Sequence, residues 1–205
     1  MLTLIFTSVI AYLLGSIPWA LVIGLVFFKT DVRQHGSKNL GGSNAGRVLG
    51  KKVGLTVIIL DGLKAFIITA LCASFFPDLP LAAVLAGLFA CIGHCFPIFA
   101  NFKGGKAVAT TMGYILAISI FVAHDFILLF LCPFLIFMIC LSITKWVSLS
   151  SIIMILVAAI ISFLTIQDKM IAYSILAIWI FVTYRHRSNI IRIFNGEEKK
   201  ITWIK

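Results

Sequence analysis

Long apolar runs alternate with a few polar interruptions along this chain, and the lengths of the runs set the first expectation. A hydrocarbon core about 30 Å thick takes about 20 apolar residues per helix. The sequence supplies seven such runs, near residues 2–28, 53–76, 81–100, 108–123, 126–143, 148–166 and 170–184. The pattern predicts an all-α polytopic membrane protein of seven transmembrane helices, organised as a single integral membrane domain over 1–205. The interruptions are of two kinds. Those after the second run (Pro77, Asp78, Leu79, Pro80), after the fourth (His124, Asp125) and after the sixth (Gln167, Asp168, Lys169) are very short. Residues 29–52, 93–107, 144–148 and the tail 185–205 are longer or basic.

Charge turns that asymmetry into an orientation. Fifteen of the seventeen Lys and Arg residues fall in the longer interruptions and the tail, Lys169 falls opposite, and Lys64 lies within a run. Cytoplasmic loops carry the basic excess, so the amino terminus is expected outside and the carboxyl tail in the cytosol. Composition agrees with a membrane protein: 61% of residues are hydrophobic, against about 45–50% in soluble domains, and mean hydropathy is +1.13. The net charge of +10 does not call for nucleic acid as a partner. Beside apolar spans it marks loops that face anionic lipid or pockets for anionic substrates. Five cysteines, Cys72, Cys91, Cys95, Cys132 and Cys140, sit in or at the ends of apolar runs without zinc-type spacing. They read as small buried hydrophobes, and no metal site is expected. The first run lacks a basic segment before it and is expected to be retained, not cleaved.

The polar islands carry the candidate chemistry. Residues 31–50, DVRQHGSKNLGGSNAGRVLG, combine Gly36, Gly41, Gly42, Gly46 and Gly50 with Ser37, Asn39, Ser43 and Asn44 and the cations Arg33, Lys38 and Arg47. Glycine allows positive φ and close approach of N–H groups to a ligand, and consecutive N–H groups form anion sites. A plain flexible turn has the same composition. The second island, GHCFPIFANFKGGKA at 93–107, contains Pro97, which should end a helix, then Gly104 and Gly105 just before the fourth run, with Lys106 beside them. A glycine turn at a helix start would present N–H groups and the positive end of a dipole to phosphate. The Walker A spacing is absent, which argues against nucleotide binding by that mechanism. Ser148, in the island opening the sixth run, reads as a helix cap or a ligand donor. In the tail, His186 and Asn189 are three apart and share a helical face; such juxtamembrane clusters also bind lipid headgroups.

Within the runs, Gly15, Ser16, Pro18 and Gly24 point to a close helix contact or a kink in the first. Asp61 and Lys64 share a face of the second. A charge at mid-membrane costs about 2.5–3.5 kcal/mol, so this pair is expected to face inward, to pair internally or with the polar loop, and to be structural.

By the charge rule all four islands lie on the cytoplasmic side, and each brings donors suited to phosphate. That convergence points to a cytoplasm-facing pocket for phosphorylated ligands. A membrane transporter or binding protein for a phosphorylated metabolite would use such a pocket. A lipid phosphatase would want a nucleophile with its base, and no such constellation is visible.

Three segments carry a specific resemblance. GSKNLGGSNAGR at 36–47, GHCFPIFANFKGGKAVAT at 93–110 and RHRSNIIRIFNGEE at 185–198 resemble the signature segments of the bacterial acyl-phosphate:glycerol-3-phosphate acyltransferase family. The resemblance spans the whole chain in length, run count and motif order. It implies a seven-helix enzyme of the cytoplasmic (inner) membrane that begins phospholipid synthesis. The implied reaction joins a fatty acyl phosphate to the 1-hydroxyl of sn-glycerol 3-phosphate and releases 1-acylglycerol 3-phosphate and inorganic phosphate, with no cofactor. Carried onto this sequence, it implies catalytic roles for Ser37, Arg47, Lys106, His186 and Asn189. Gly36, Asn39, Gly41, Asn44, Gly104, Gly105 and Ser148 become substrate contacts, and Glu197 a structural carboxylate beside Asp61 and Lys64. Lys38 and Ala107 stand where the family commonly has glycine, and Gly42 and Ser43 where Ala and Thr are usual. Besides membrane lipid and the two substrates, the implied partner is a soluble enzyme that makes acyl phosphate. His186 is either the general base or a group that only orients the acceptor.

Overall fold

The computed structural model describes residues 1–201 of the chain, and the last residues of the tail, counted above, lie outside them. The described residues are helical and loop structure without strands, in two compact units that divide between Val122 and Ala123. Five helical stretches are long and apolar enough to cross a membrane: Leu2–Phe28, Lys51–Phe75, Pro80–Ala100, Ile127–Thr144 and Val147–Thr165. The fourth and seventh expected runs are helices of 14 and 17 residues, Val108–Phe121 and Lys169–Arg185. At 1.5 Å per residue they rise about 21 and 25 Å, less than the other five.

In the first unit, α1 (Leu2–Gly15) and α2 (Trp19–Phe28) replace the single first run. Pro18 separates them because it has no N–H to continue the ladder. After the polar loop come α3 (Gly42–Leu49), α4 (Lys51–Phe75), α5 (Pro80–Cys95) and α6 (Val108–Phe121). In lipid the apolar effect does not drive helix against helix, so association relies on close backbone approach at small residues. Here a side chain on Gly15 would strike the Ala90 backbone, one on Gly93 the backbone of Tyr12 to Ser16, and one on Gly113 the Gly62 carbonyl. These contacts join α1 to α5 and α4 to α6. Tyr12 adds a hydrogen bond from its hydroxyl to the Phe96 carbonyl, 2.8 Å.

In the second unit, a π-helical stretch at Ile127–Leu131 leads into α7 (Cys132–Thr144), followed by α8 (Val147–Thr165), α9 (Lys169–Arg185) and α10 (Arg187–Phe194). Phe126, Phe130, Phe134 and Phe137 stack in series along the π stretch and α7, with centroids 5.7, 5.9 and 6.2 Å apart. The α8–α9 pair is tied by an edge-on contact of Phe163 with Tyr173 at 5.4 Å.

Candidate active site

The loop after α2 is folded, not slack. Asp31 caps a short 3-10 turn, Val32–Gln34, by accepting from the Arg33 amide, and the Arg33 guanidinium grips the same carboxylate at 2.7–3.1 Å. The hydrogen bond from Arg33 holds the Asp31 carboxyl below its ordinary range, against a smaller upward push from burial. Val32 and Leu40 anchor the loop in an apolar cluster with Ala20, Leu21, Ala45, Val57 and Ala100. Ala100 belongs to the second island, so this cluster brings the two islands of the first unit together.

Asn44 gives the loop its shape. Its Nδ2 donates to the carbonyls of Val32 and His35 at 2.9 and 3.2 Å, and its Oδ1 accepts from the Ser37 amide at 2.8 Å. Expected among the substrate contacts, Asn44 is instead 1% exposed and spends both ends of its amide on the loop. Gly36 turns the chain at φ +61, where any side chain would also meet Asn44 Oδ1. Around this staple Ser37 and Lys38 are exposed, Asn39 is half-buried, and Gly41 caps α3. Arg47, on α3, is exposed and makes no ion pair among the described residues.

Lys38 and Ala107 explain two departures from the family pattern. Both are left-handed, at φ +59 and +58, a conformation costing about 1–2 kcal/mol for residues with a Cβ. Glycine is the residue such positions favour. Gly42 accounts for a third departure: a Cβ there would collide with Ile58 and approach the Gly54 carbonyl to 2.7 Å.

At the second island, where Gly104 and Gly105 were expected to meet phosphate, their amides donate to the Cys95 and His94 carbonyls, both at 3.1 Å. The physical reason is the end of α5, whose last carbonyls lack intrahelical partners and take them from the returning chain. Both residues are glycine because that return is close: a Cβ on Gly104 would overlap the His94 carbonyl, and one on Gly105 the His94 ring at Nε2. Lys106 follows, half-buried, ahead of α6.

Beneath this turn lies a charge cluster that sequence reading only half anticipated. Asp61 and Lys64 do pair, at 3.0 Å, with side chains 3% and 4% exposed. Their further partners come from neither the polar loop nor the same helix. Lys64 Nζ lies 2.9 Å from His94 Nδ1 and donates to the Ile17 carbonyl at 3.1 Å, and His94 Nδ1 is 3.5 Å from Asp61. Ile17 precedes Pro18, at the break between α1 and α2, where its carbonyl takes only the Trp19 amide, at 3.2 Å, from the backbone, and Leu21 and Val22 bond to the Pro18 carbonyl. The break thus supplies an acceptor inside the apolar body. Nothing in the sequence pattern around His94 marked it as a partner of Asp61 and Lys64.

In the second unit, three groups meet on one carboxylate. Glu198 Oε1 accepts from Ser148 Oγ at 2.9 Å and from Asn189 Nδ2 at 2.6 Å, and Oε2 from Arg192 Nε at 2.9 Å. Trp146 Nε1 reaches the Glu198 carbonyl at 3.2 Å. Burial alone would raise the Glu198 carboxyl, but the bonds from Asn189, Ser148 and Arg192 outweigh it and hold it below its ordinary value. Ser148 therefore bonds to the tail and does not cap α8, whose N-cap is Trp146. Glu197, expected as the structural carboxylate, is exposed; its neighbour Glu198 makes the bonds that hold the tail. His186, 4% exposed, donates from Nδ1 to the Val182 carbonyl at 2.9 Å, since a carbonyl can only accept. In the neutral ring this leaves the lone pair on Nε2.

Helical throughout its described residues, with five stretches long and apolar enough to cross a membrane and with polar loops braced by internal hydrogen bonds, the chain has the build of an integral membrane protein. The chain belongs to the glycerol-3-phosphate acyltransferase family: the model of that description matches residues 5–196. The glycerol-3-phosphate acyltransferase of Listeria welshimeri is 48% identical over 206 residues, covering 99% of both chains. A crystal structure of PlsY (YgiH), an integral membrane glycerol 3-phosphate acyltransferase, in its glycerol 3-phosphate form, superposes with a TM-score of 0.89. It is 34% identical and covers 97% of this chain and 96% of that one. The lysophosphatidic acid form of the same protein matches with a TM-score of 0.86, at 34% identity over 97% and 95%. The chain is thus a multi-pass membrane acyltransferase of lipid biosynthesis, and the transporter alternative gives way.

Proposed function

We propose that this enzyme moves a fatty acyl group from acyl phosphate to the 1-hydroxyl of sn-glycerol 3-phosphate at the cytoplasmic leaflet of the inner membrane. In this reading the amino terminus is outside and the tail cytosolic. The observation that carries the acceptor is the likeness, over almost the whole chain, to a relative solved in a glycerol 3-phosphate form. The donor follows from the resemblance of the three motifs and from the chemistry available. An acyl phosphate is an activated mixed anhydride, so the protein needs to position and neutralise, not to form a covalent intermediate.

The acceptor oxygen attacks the acyl carbonyl carbon, the carbon–oxygen bond to phosphate breaks, and inorganic phosphate leaves. Two anions that repel in water must be held together for this, and holding reactants in near-attack geometry supplies about 7–11 kcal/mol. Ser37, Asn39 and the backbone around Gly36 and Gly41 are assigned to the acyl phosphate. Arg47, Lys106, His186 and Asn189 are assigned to glycerol 3-phosphate, with fixed cations stabilising the charge that builds in the transition state. Gly104 and Gly105 contribute by shaping the turn, and Ser148 by its bond to Glu198. The Nδ1 bond of His186 to Val182 supports the base reading, because it aims basicity at Nε2.

Purified protein given labelled glycerol 3-phosphate with palmitoyl phosphate or palmitoyl-CoA tests the assignment. Lysophosphatidate is expected with the phosphate donor; product from the thioester alone would replace the donor, and none with either would remove the reading. Acyl phosphate hydrolyses in water, so a soluble enzyme that produces it is the expected supplier. For His186, the His186→Gln enzyme should lose most activity along with the lower limb of the pH–rate profile. Substantial activity with an unshifted profile would leave the histidine an orienting role only.

A further inference from the structure

We propose that His94 is a positioning residue for the acyl transfer: its ring, held at Nδ1 by Lys64, carries the Gly104–Gly105 turn and so sets where Lys106 stands. The proposal rests on the reading that Lys106 neutralises substrate phosphate.

Three observations support it. His94 touches the turn twice, through its carbonyl, which accepts from the Gly105 amide, and through its ring, whose Nε2 occupies the space a Gly105 side chain would need. The ring is itself held. Lys64 can only donate, so Nδ1 accepts, and the proton of the neutral ring lies on Nε2, the nitrogen against Gly105. Lys64 is fixed in turn: its Nζ donates to the Ile17 carbonyl at 3.1 Å, lies 2.9 Å from His94 Nδ1 and forms an ion pair with Asp61 at 3.0 Å. A chain of fixed groups therefore runs from the break between α1 and α2, through α4, to the last turn of α5 and the residue before Lys106.

The test uses the purified full-length enzyme and the variants His94→Asn, Gly105→Ala and Lys106→Ala, with separate KM values for the acyl donor and for glycerol 3-phosphate, kcat and thermal unfolding. An asparagine at 94 can still accept from Lys64 but is too short to reach Gly105. It is expected to unfold near the wild-type temperature, yet to raise KM for the same substrate as Lys106→Ala, on the order of 10²-fold for a displacement of about 1 Å. Gly105→Ala should reproduce that selectivity, and the double variant His94→Asn/Lys106→Ala should be no worse than Lys106→Ala alone. If Lys106→Ala raises one KM while His94→Asn leaves both at wild-type values, the positioning role is gone and the phosphate reading stands. A fall in unfolding temperature with both KM values raised alike would make His94 structural only and overturn the proposal. Unchanged KM values in Lys106→Ala would overturn the phosphate reading and the proposal together.

Discussion

Two carboxylates brace polar segments of this enzyme, and they do so on opposite terms. Asp61 sits in the apolar body at 2% exposure, with a lysine and a histidine whose own remaining partners are a carbonyl and a backbone turn. Glu198 sits in the polar tail and collects three separate donors, one of them an arginine 39% exposed. In the body, each group is there because the others are, and removing one strands a charge where water cannot reach. In the tail, the carboxylate keeps two donors when any one is lost. The same task of fixing a loop is cooperative in one place and divisible in the other.

The largest expected effect attacks the cooperative case. Lys64→Met leaves Asp61 buried without its counter-ion and should destabilise the protein by about 3–5 kcal/mol, measured by thermal unfolding in detergent. Asp61→Asn/Lys64→Met should recover most of that loss; if it does not, the charges contribute more than mutual compensation. Next in size, Arg47→Ala separates bracing from reach. Its side chain is exposed and unpaired with any acid among the described residues, so unfolding should be unchanged. Activity should fall about 10²–10³-fold, the scale for losing one group that stabilises transition-state charge.

The divisible case predicts a smaller and pH-dependent cost. Glu198→Gln should destabilise the tail by about 1–3 kcal/mol, read by hydrogen exchange in α10. Because the folded Glu198 carboxyl lies below its unfolded value, its contribution is complete above the ordinary carboxylate range. It is lost as pH falls through the folded value. The Gln variant should show less of this acid weakening than the parent. Smallest of all, Lys38→Gly relieves a left-handed lysine but loosens the unfolded chain, so the net gain should stay below about 1 kcal/mol. Ala107→Gly should behave alike, and a loss in either would mean that the side chain makes a contact worth more than the strain.

Much of the architecture was legible because hydropathy and charge placement act over whole segments. The helical class, the polar islands and the inward pairing of Asp61 with Lys64 all follow from what lipid tolerates. The finer assignments depend on partners that only folding supplies. Asn44 reads as one more polar residue in a glycine loop until the Val32, His35 and Ser37 backbones converge on it. Glu197 and Glu198 are indistinguishable in sequence, and the turn after Asn195 decides which one meets Asn189. The left-handed backbone at Lys38 and Ala107 is hidden because neither is glycine, and the Gly-Gly amides look available until the end of α5 claims them.

The break at Pro18 has a consequence for how the chain is made. Synthesis runs from the amino terminus, so Ile17 enters the bilayer before Lys64, and Lys64 before His94. The lysine therefore follows in sequence both Asp61 on its own helix and the carbonyl it donates to, and the histidine comes last. The kink at this proline thus leaves a resting place for a charge translated 47 residues after the carbonyl that receives it.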